Sequence, residues 1–231
     1  MDGLMGPAVF DCAEQSTREI NRELAQLPDG AAARILHPSG RHNLAVGLTN
    51  RIDVRIEGAA GYFIGGLGDG PDVTVDGFVG WSVAENLMSG TVWVKGNASE
   101  CAGASSHGGL LVIEGDASSR AGISLKGGTV LVGGDVGHMS GFMAQAGTIL
   151  VGGDAGHALG DSLYETVIYV AGSIGSLGSD ARVEDLTERD VETVETLVKQ
   201  AAFDHVDPQN VTRIASAKQL YNFDALKEQK Y

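Results

Sequence analysis

Short runs of alternating apolar and polar residues recur along most of the chain at one fixed spacing. The segments DVRIEGA, DVTVDGF, TVWVKGN, LLVIEGD, TVLVGGD, TILVGGD and VIYVAGS begin at residues 53, 72, 91, 110, 129, 148 and 167, each 19 residues after the last. Positions two and four of the unit are apolar in all seven, from Val54/Ile56 to Ile168/Val170, and are mostly β-branched. Period-two alternation of this kind predicts a short strand with one face buried. RILHPSG at residue 34 falls on the same register and reads as a degenerate first copy.

Glycine supplies a second pattern inside the same unit. Position six is Gly58, Gly77, Gly96, Gly115, Gly134, Gly153 and Gly172 in turn, which predicts either a positive φ or a close backbone approach after each strand. A second column holds Gly65, Gly103, Gly122, Gly141 and Gly160, broken by Ala84, and a third holds Gly90, Gly109, Gly128 and Gly147. One strand and three corners per unit cannot fold alone, because a single strand has no ladder partner. Stacking the strands about 4.8 Å apart pairs their backbones and buries positions two and four in one core. The expected fold is therefore all-β, a single-stranded parallel β-helix of seven or eight coils. Parallel crossovers favour the right hand, and a 19-residue coil does not fit the 18-residue left-handed hexapeptide type.

The flanks break the pattern, which divides the chain into residues 1–33, 34–178 and 179–231. Ser16-Thr17-Arg18-Glu19 is a capping box ahead of Ile20, Leu24 and Leu27, so 16–27 reads as an amphipathic helix stopped at Pro28-Asp29-Gly30. Residues 187–203 carry Val191, Val194, Leu197, Val198 and Ala201 at helical spacing, with Thr187 as cap. A polar tail with a second short helical stretch is expected after Pro208. Both flanks are suited to cover the open ends of a solenoid. Repeat position three points away from the coil interior, and in the later copies it is Trp93, Val112, Leu131, Leu150 and Tyr169, an apolar stripe about 19 Å long. Position five turns small beside it, at Gly133, Gly152 and Ala171, so the 187–203 helix or a partner is expected to lie on the stripe.

Composition narrows the function. With 34 glycines but only 5 prolines and no three-residue period, collagen is excluded, and 43% hydrophobic residues exclude a disordered chain. A net charge of −14 argues against nucleic acid and anionic membranes as partners. No signal-like leader or spanning run is visible and the two cysteines are far apart, so a reduced, cytoplasmic protein is expected. The GGD triplets at 133–135 and 152–154 lack the calcium-roll spacing. Asp116, Asp135 and Asp154 read instead as caps on turn amides. His138 and His157 share a repeat position and, with the aspartates, form the nearest thing to a metal site, but no third ligand is fixed. His37, His42, His107 and His205 read as surface or packing residues. Neither Cys101 nor the internal Cys12 has a base nearby in sequence. No catalytic, cofactor-binding or metal residue is assigned on this chain.

The 19-residue period with G-x-x-G-x-x-x-G units, as in Gly134-Asp135-Val136-Gly137-His138-Met139-Ser140-Gly141 and 153–160, resembles the GXGXG domain, the C-terminal β-helix of the glutamate synthase large subunit. The flanks FDCAEQSTREINREL (10–24) and SAKQLYNF (216–223) resemble the stand-alone β-helix subunit of the N-methylglutamate synthase family. That resemblance implies a scaffold in a hetero-oligomer with a glutaminase-like amidotransferase subunit and an FMN-dependent synthase subunit, the FMN and iron–sulfur cluster lying on the latter. The implied reaction joins glutamate and methylamine to N-methylglutamate with loss of ammonia. The same repeat occurs in the GXGXG-bearing subunits of the formyltransferase/hydrolase and formylmethanofuran dehydrogenase complexes, which are the alternative.

Overall fold

A computed structural model describes residues 6–218 of the chain. The strands stack into one sheet that runs the length of a parallel β-solenoid of about seven turns. β1 (Ala8–Asp11) lies at one end, followed in order by β2 (Ala32–Leu36), β3 (Asp53–Ile56), β4 (Asp69–Val75), β5 (Ser89–Val94), β6 (Leu110–Ile113), β7 (Lys126–Val132), β8 (Ala146–Val151) and β9 (Val167–Val170). From β3 to β9 the repeat positions pair 19 residues apart, Asp53 facing Asp72, Thr91 facing Leu110 and Thr148 facing Val167, while the early residues of β4 and β7 pair 20 apart, Asp69 with Ser89 and Lys126 with Ala146. Positions two and four point inward and are buried throughout.

The first copy is not where the repeat placed it. Ala32, rather than Arg34, faces Asp53, so the opening coil is 21 residues long and Ala33 and Ile35 fill the core positions. A two-residue slip leaves every side chain on its original face, so alternation alone does not detect it.

The other two sides of each coil explain the glycines. On one, Val79, Ala98, Ala117, Val136, Ala155 and Ile174 form single parallel bridges, coil to coil, and most are buried. On the other, the backbone zigzags through alternate left-handed residues: φ is positive at Phe63, Gly65 and Leu67, again at Ser82, Ala84 and Asn86, and at the equivalent residues through Ala158, Gly160 and Ser162. Their amides point alternately to the next coil and the previous one, Phe63 donating to the Trp81 carbonyl, Gly65 to Leu44 and Leu67 to Glu85. The second and third glycine columns therefore sit at positive φ, and Ala84 keeps the same φ of 56° without a glycine. The sixth-position column does not, apart from Gly58. Gly134 and Gly153 are there because a Cβ would meet the Asp116 and Asp135 carboxylates of the preceding coil at 2.1 and 2.2 Å. Close approach, rather than left-handed backbone, is what that column requires.

The ends are covered by the flanks. α1 (Thr17–Leu24) is shorter than the expected 16–27 but carries the capping box, Ser16 and Glu19 each bonding the other's amide, and its Ile20 and Leu24 are wholly buried against the solenoid core. At the far end come β10 (Ala181–Glu184), α2 (Glu188–Ala201) and β11 (Thr212–Ser216). β11 occupies the start of the tail expected to be helical. It pairs antiparallel with both β9 and β10, and its Ile214 is buried in the solenoid core. A strand here satisfies the backbone edge of the last coil, which a helix would leave open. The rest of that tail, and the 219–223 part of the 216–223 motif, lie outside the described residues.

Candidate functional site

The C-terminal half of the sheet's outer face is covered by the chain itself. Val112, Leu131, Leu150 and Tyr169 are buried under Val194, Leu197, Ala201, Phe203 and Val206, and Trp93 lies partly buried at the edge with its indole donating to Glu114 at 2.7 Å. Gly133 and Gly152 let the segment after α2 reach the sheet: a Cβ on Gly152 would stand 2.8 Å from His205 Nε2, which bonds the Gly133 carbonyl at 2.9 Å.

A buried polar cluster locks this cover. Tyr169 donates to Asp190 at 2.6 Å, Arg213 donates to the same carboxylate at 3.0 Å, and Thr187 caps the helix through it. Burial alone would raise the Asp190 pKa, but the bonds from Thr187, Tyr169 and Arg213 outweigh it and hold the carboxyl well below the usual range. Burial, then the bond to Asp190, pushes the Tyr169 phenol well above its usual value. Arg213 also pairs with Glu184. The nearby hollow of about 350 Å³, lined by Thr166, Arg182 and Arg213, therefore has both guanidiniums already engaged, Arg182 also on Glu184.

The N-terminal half of the same face is polar and paired along diagonals. Arg34 reaches Glu57 of the next coil at 2.5 Å, Arg55 reaches Asp76 at 2.6 Å, and Lys95 meets Asp76 at 3.1 Å.

The aspartates form a ladder. Each carboxylate accepts the amide one coil on: Asp116 from Asp135 at 2.9 Å, Asp135 from Asp154 at 2.7 Å, Asp154 from Ser173 at 2.7 Å, while Asn97 does the same for Asp116 at 3.0 Å. His138 and His157 stand exposed on adjacent coils, and His157 Nδ1 lies 3.4 Å from Ser176 Oγ. Among the described residues no three His, Cys, Asp or Glu side chains gather closely enough to hold a metal. His37 pairs with Asp11 at 2.9 Å, His42 stacks on Tyr62 at 3.6 Å, and His107 is exposed. Cys12 is buried, Cys101 half-buried at a left-handed corner, and burial pushes both thiols above their ordinary pKa, which lowers their nucleophilic fraction.

An aromatic cluster that the repeat pattern does not announce lies on the bridge side of the first coils. Tyr62, Phe78 and Trp81 crowd together there and line, with His42, a groove of about 470 Å³. Phe78 and Trp81 are 61% and 60% exposed. Phe78 is the lone aromatic in a column otherwise polar or small, while Tyr62 and Trp81 open a column that is polar from Glu100 onward, and comparing the copies column by column for the odd residues would have found them.

Among the described residues no helix is long and apolar enough to cross a membrane. No family model matches the chain. A curated relative, Protein GlxC of Rhizobium meliloti (strain 1021), is 44% identical over 87 residues, a stretch covering 36% of this chain and 38% of that protein.

Proposed function

We propose that this chain is a non-catalytic scaffold subunit of a glutamate-synthase-like enzyme, and in the finer reading the β-helix subunit of an N-methylglutamate synthase. In that role it holds a glutaminase-like amidotransferase subunit against an FMN and iron–sulfur synthase subunit, and the chemistry proceeds on those partners. The observation that carries the reading is the solenoid itself. Its 19-residue register, its glycine columns and its ladder of Asn97, Asp116, Asp135 and Asp154 are devoted to binding one coil to the next. The local identity with Protein GlxC supports the coarser part, a glutamate-synthase-like subunit.

The experiment is co-purification from a cell that carries the native neighbours. A complex with flavin absorbance that forms N-methylglutamate from glutamate and methylamine, and loses that activity when this chain is omitted, is expected. A zinc-containing amidohydrolase-like partner in place of a flavoprotein would overturn the proposal.

A further inference from the structure

On the bridge side of the solenoid, the groove lined by Tyr62, Phe78 and Trp81 stands at the head of a trough-like band of stacked columns. Because Val79, Ala98, Ala117, Val136 and Ala155 bridge in parallel, the residues on either side of them stack in the same register. The floor is small: Gly80, Ser99, Ser118, Gly137 and Gly156. One wall runs Phe78, Asn97, Asp116, Asp135, Asp154, and the other runs Tyr62, Trp81, Glu100, Ser119, His138, His157. The trough thus opens with exposed aromatic rings and continues into a row of carboxylates about 4.8 Å apart.

Two kinds of occupant are disfavoured by charge. Among the described residues of floor and walls there is no Lys or Arg, Arg120 standing one position beyond, so polyanions are repelled. A second copy of this chain, at a net charge of −14, would set its own acidic wall near this one. What complements both halves at once is a segment with an apolar end and a cationic stem.

We propose that this trough is a docking groove for a segment of another protein, one that seats an aliphatic or aromatic anchor among Tyr62, Phe78 and Trp81 and runs Lys or Arg side chains along Asp116, Asp135 and Asp154. Buried aromatic anchors supply most of the affinity in such interfaces, and the charge row supplies direction and on-rate. The inference stands independently of which enzyme the chain serves.

The test uses the full chain and two fluorescein-labelled peptides, each with Leu-Phe at one end and alternating Lys along the rest, in opposite chain directions. One of the two is expected to bind in the micromolar range by fluorescence anisotropy, and to weaken at least tenfold in high salt or when its Lys are replaced by Glu. Phe78→Ser/Trp81→Ser changes only exposed side chains and is expected to weaken binding at least tenfold. So is Asp116→Asn/Asp135→Asn/Asp154→Asn, which removes charge yet keeps the amide ladder, as Asn97 already does. Circular dichroism confirms that both variants are folded. The proposal is overturned by binding of neither peptide at millimolar concentration, or by binding indifferent to the Glu replacement or to either variant. It is equally overturned by a wild-type dimer in sedimentation that Phe78→Ser/Trp81→Ser returns to monomer, since the occupant is then a second copy.

Discussion

Gly134→Ala isolates the reason for the sixth-position glycines. Its φ is not positive, so alanine fits the backbone, and by limiting the unfolded chain it would add about 0.4–1 kcal/mol of stability. Opposing this, the new methyl would lie 2.1 Å from Asp116 Oδ1, while the nearest backbone atom, Gly115 C at 3.1 Å, has to give by only a few tenths of an ångström. The carboxylate must swing off and release the Asp135 amide it holds at 2.9 Å. A hydrogen bond to a charged group contributes about 1.5–3 kcal/mol, at the low end here because the freed amide can reach water. The two contributions leave Gly134→Ala destabilised by about 0.5–1 kcal/mol, a fall of about 1–4 °C in melting temperature for a chain of this size. Asp116→Ala alone costs a similar amount. In the Asp116→Ala background, however, Gly134→Ala becomes close to neutral, and urea denaturation followed by circular dichroism measures that coupling. Gly122→Ala is the control: at φ +68° with a Cβ 2.6 Å from Ile149 Cδ1, it stays costly in every background. If Gly134→Ala is as damaging without the Asp116 carboxylate as with it, the column is conformational after all and the close-approach account is wrong.

The remaining predictions address the cover and the corners. Leu150→Glu puts a charge under α2 and is expected to release the helix, raising hydrophobic-dye binding in the intact chain. Unchanged dye binding and melting would mean the stripe is not sealed. Ser124 sits at φ 53°, so Ser124→Gly relieves a left-handed strain of about 1–2 kcal/mol against an unfolded-state cost of about 0.4–1, for a net gain visible as a higher melting temperature. Because the Asp190 pKa is depressed by folding, the docking it supports is complete above the ordinary carboxylate pKa of about 3.9 and fades as pH falls below it. Tyr169, shifted upward, contributes below about pH 10 and less as pH rises past it. Tyr169→Phe removes one of the bonds that lower Asp190, so helix release monitored by proteolysis should begin at a higher pH than in the wild type.

Periodicity made the solenoid readable, because a 19-residue repeat without insertions fixes strand, core face and coil register together. It also exposed the stripe from Val112 to Tyr169, and the Thr187 cap with its apolar helix pointed to the cover that the structure places there. What it concealed has physical causes. The two-residue slip of the first coil preserves alternation. The left-handed corners at Phe63, Ser82, Cys101, Arg120 and Met139 carry residue types with no preference for positive φ, and only the glycine two residues on, itself replaced by Ala84 in one coil, hints at the zigzag. Strand β11 is five residues of mixed polarity, and nothing within it records that the last coil needed an antiparallel partner.

The distribution of side chains then bears on where a partner binds. The outer sheet face is closed in its second half by α2 and satisfied in its first half by the Arg34–Glu57 and Arg55–Asp76 diagonals. The zigzag side uses its amides between coils and offers scattered groups such as Leu67 and Met143. On the bridge side, Phe78 and Trp81 stay exposed although the same positions in later coils carry aspartate and histidine, which fold the repeat equally well. Folding therefore does not explain the rings, and their place at the head of an acidic row is the strongest reason to look for a partner segment there.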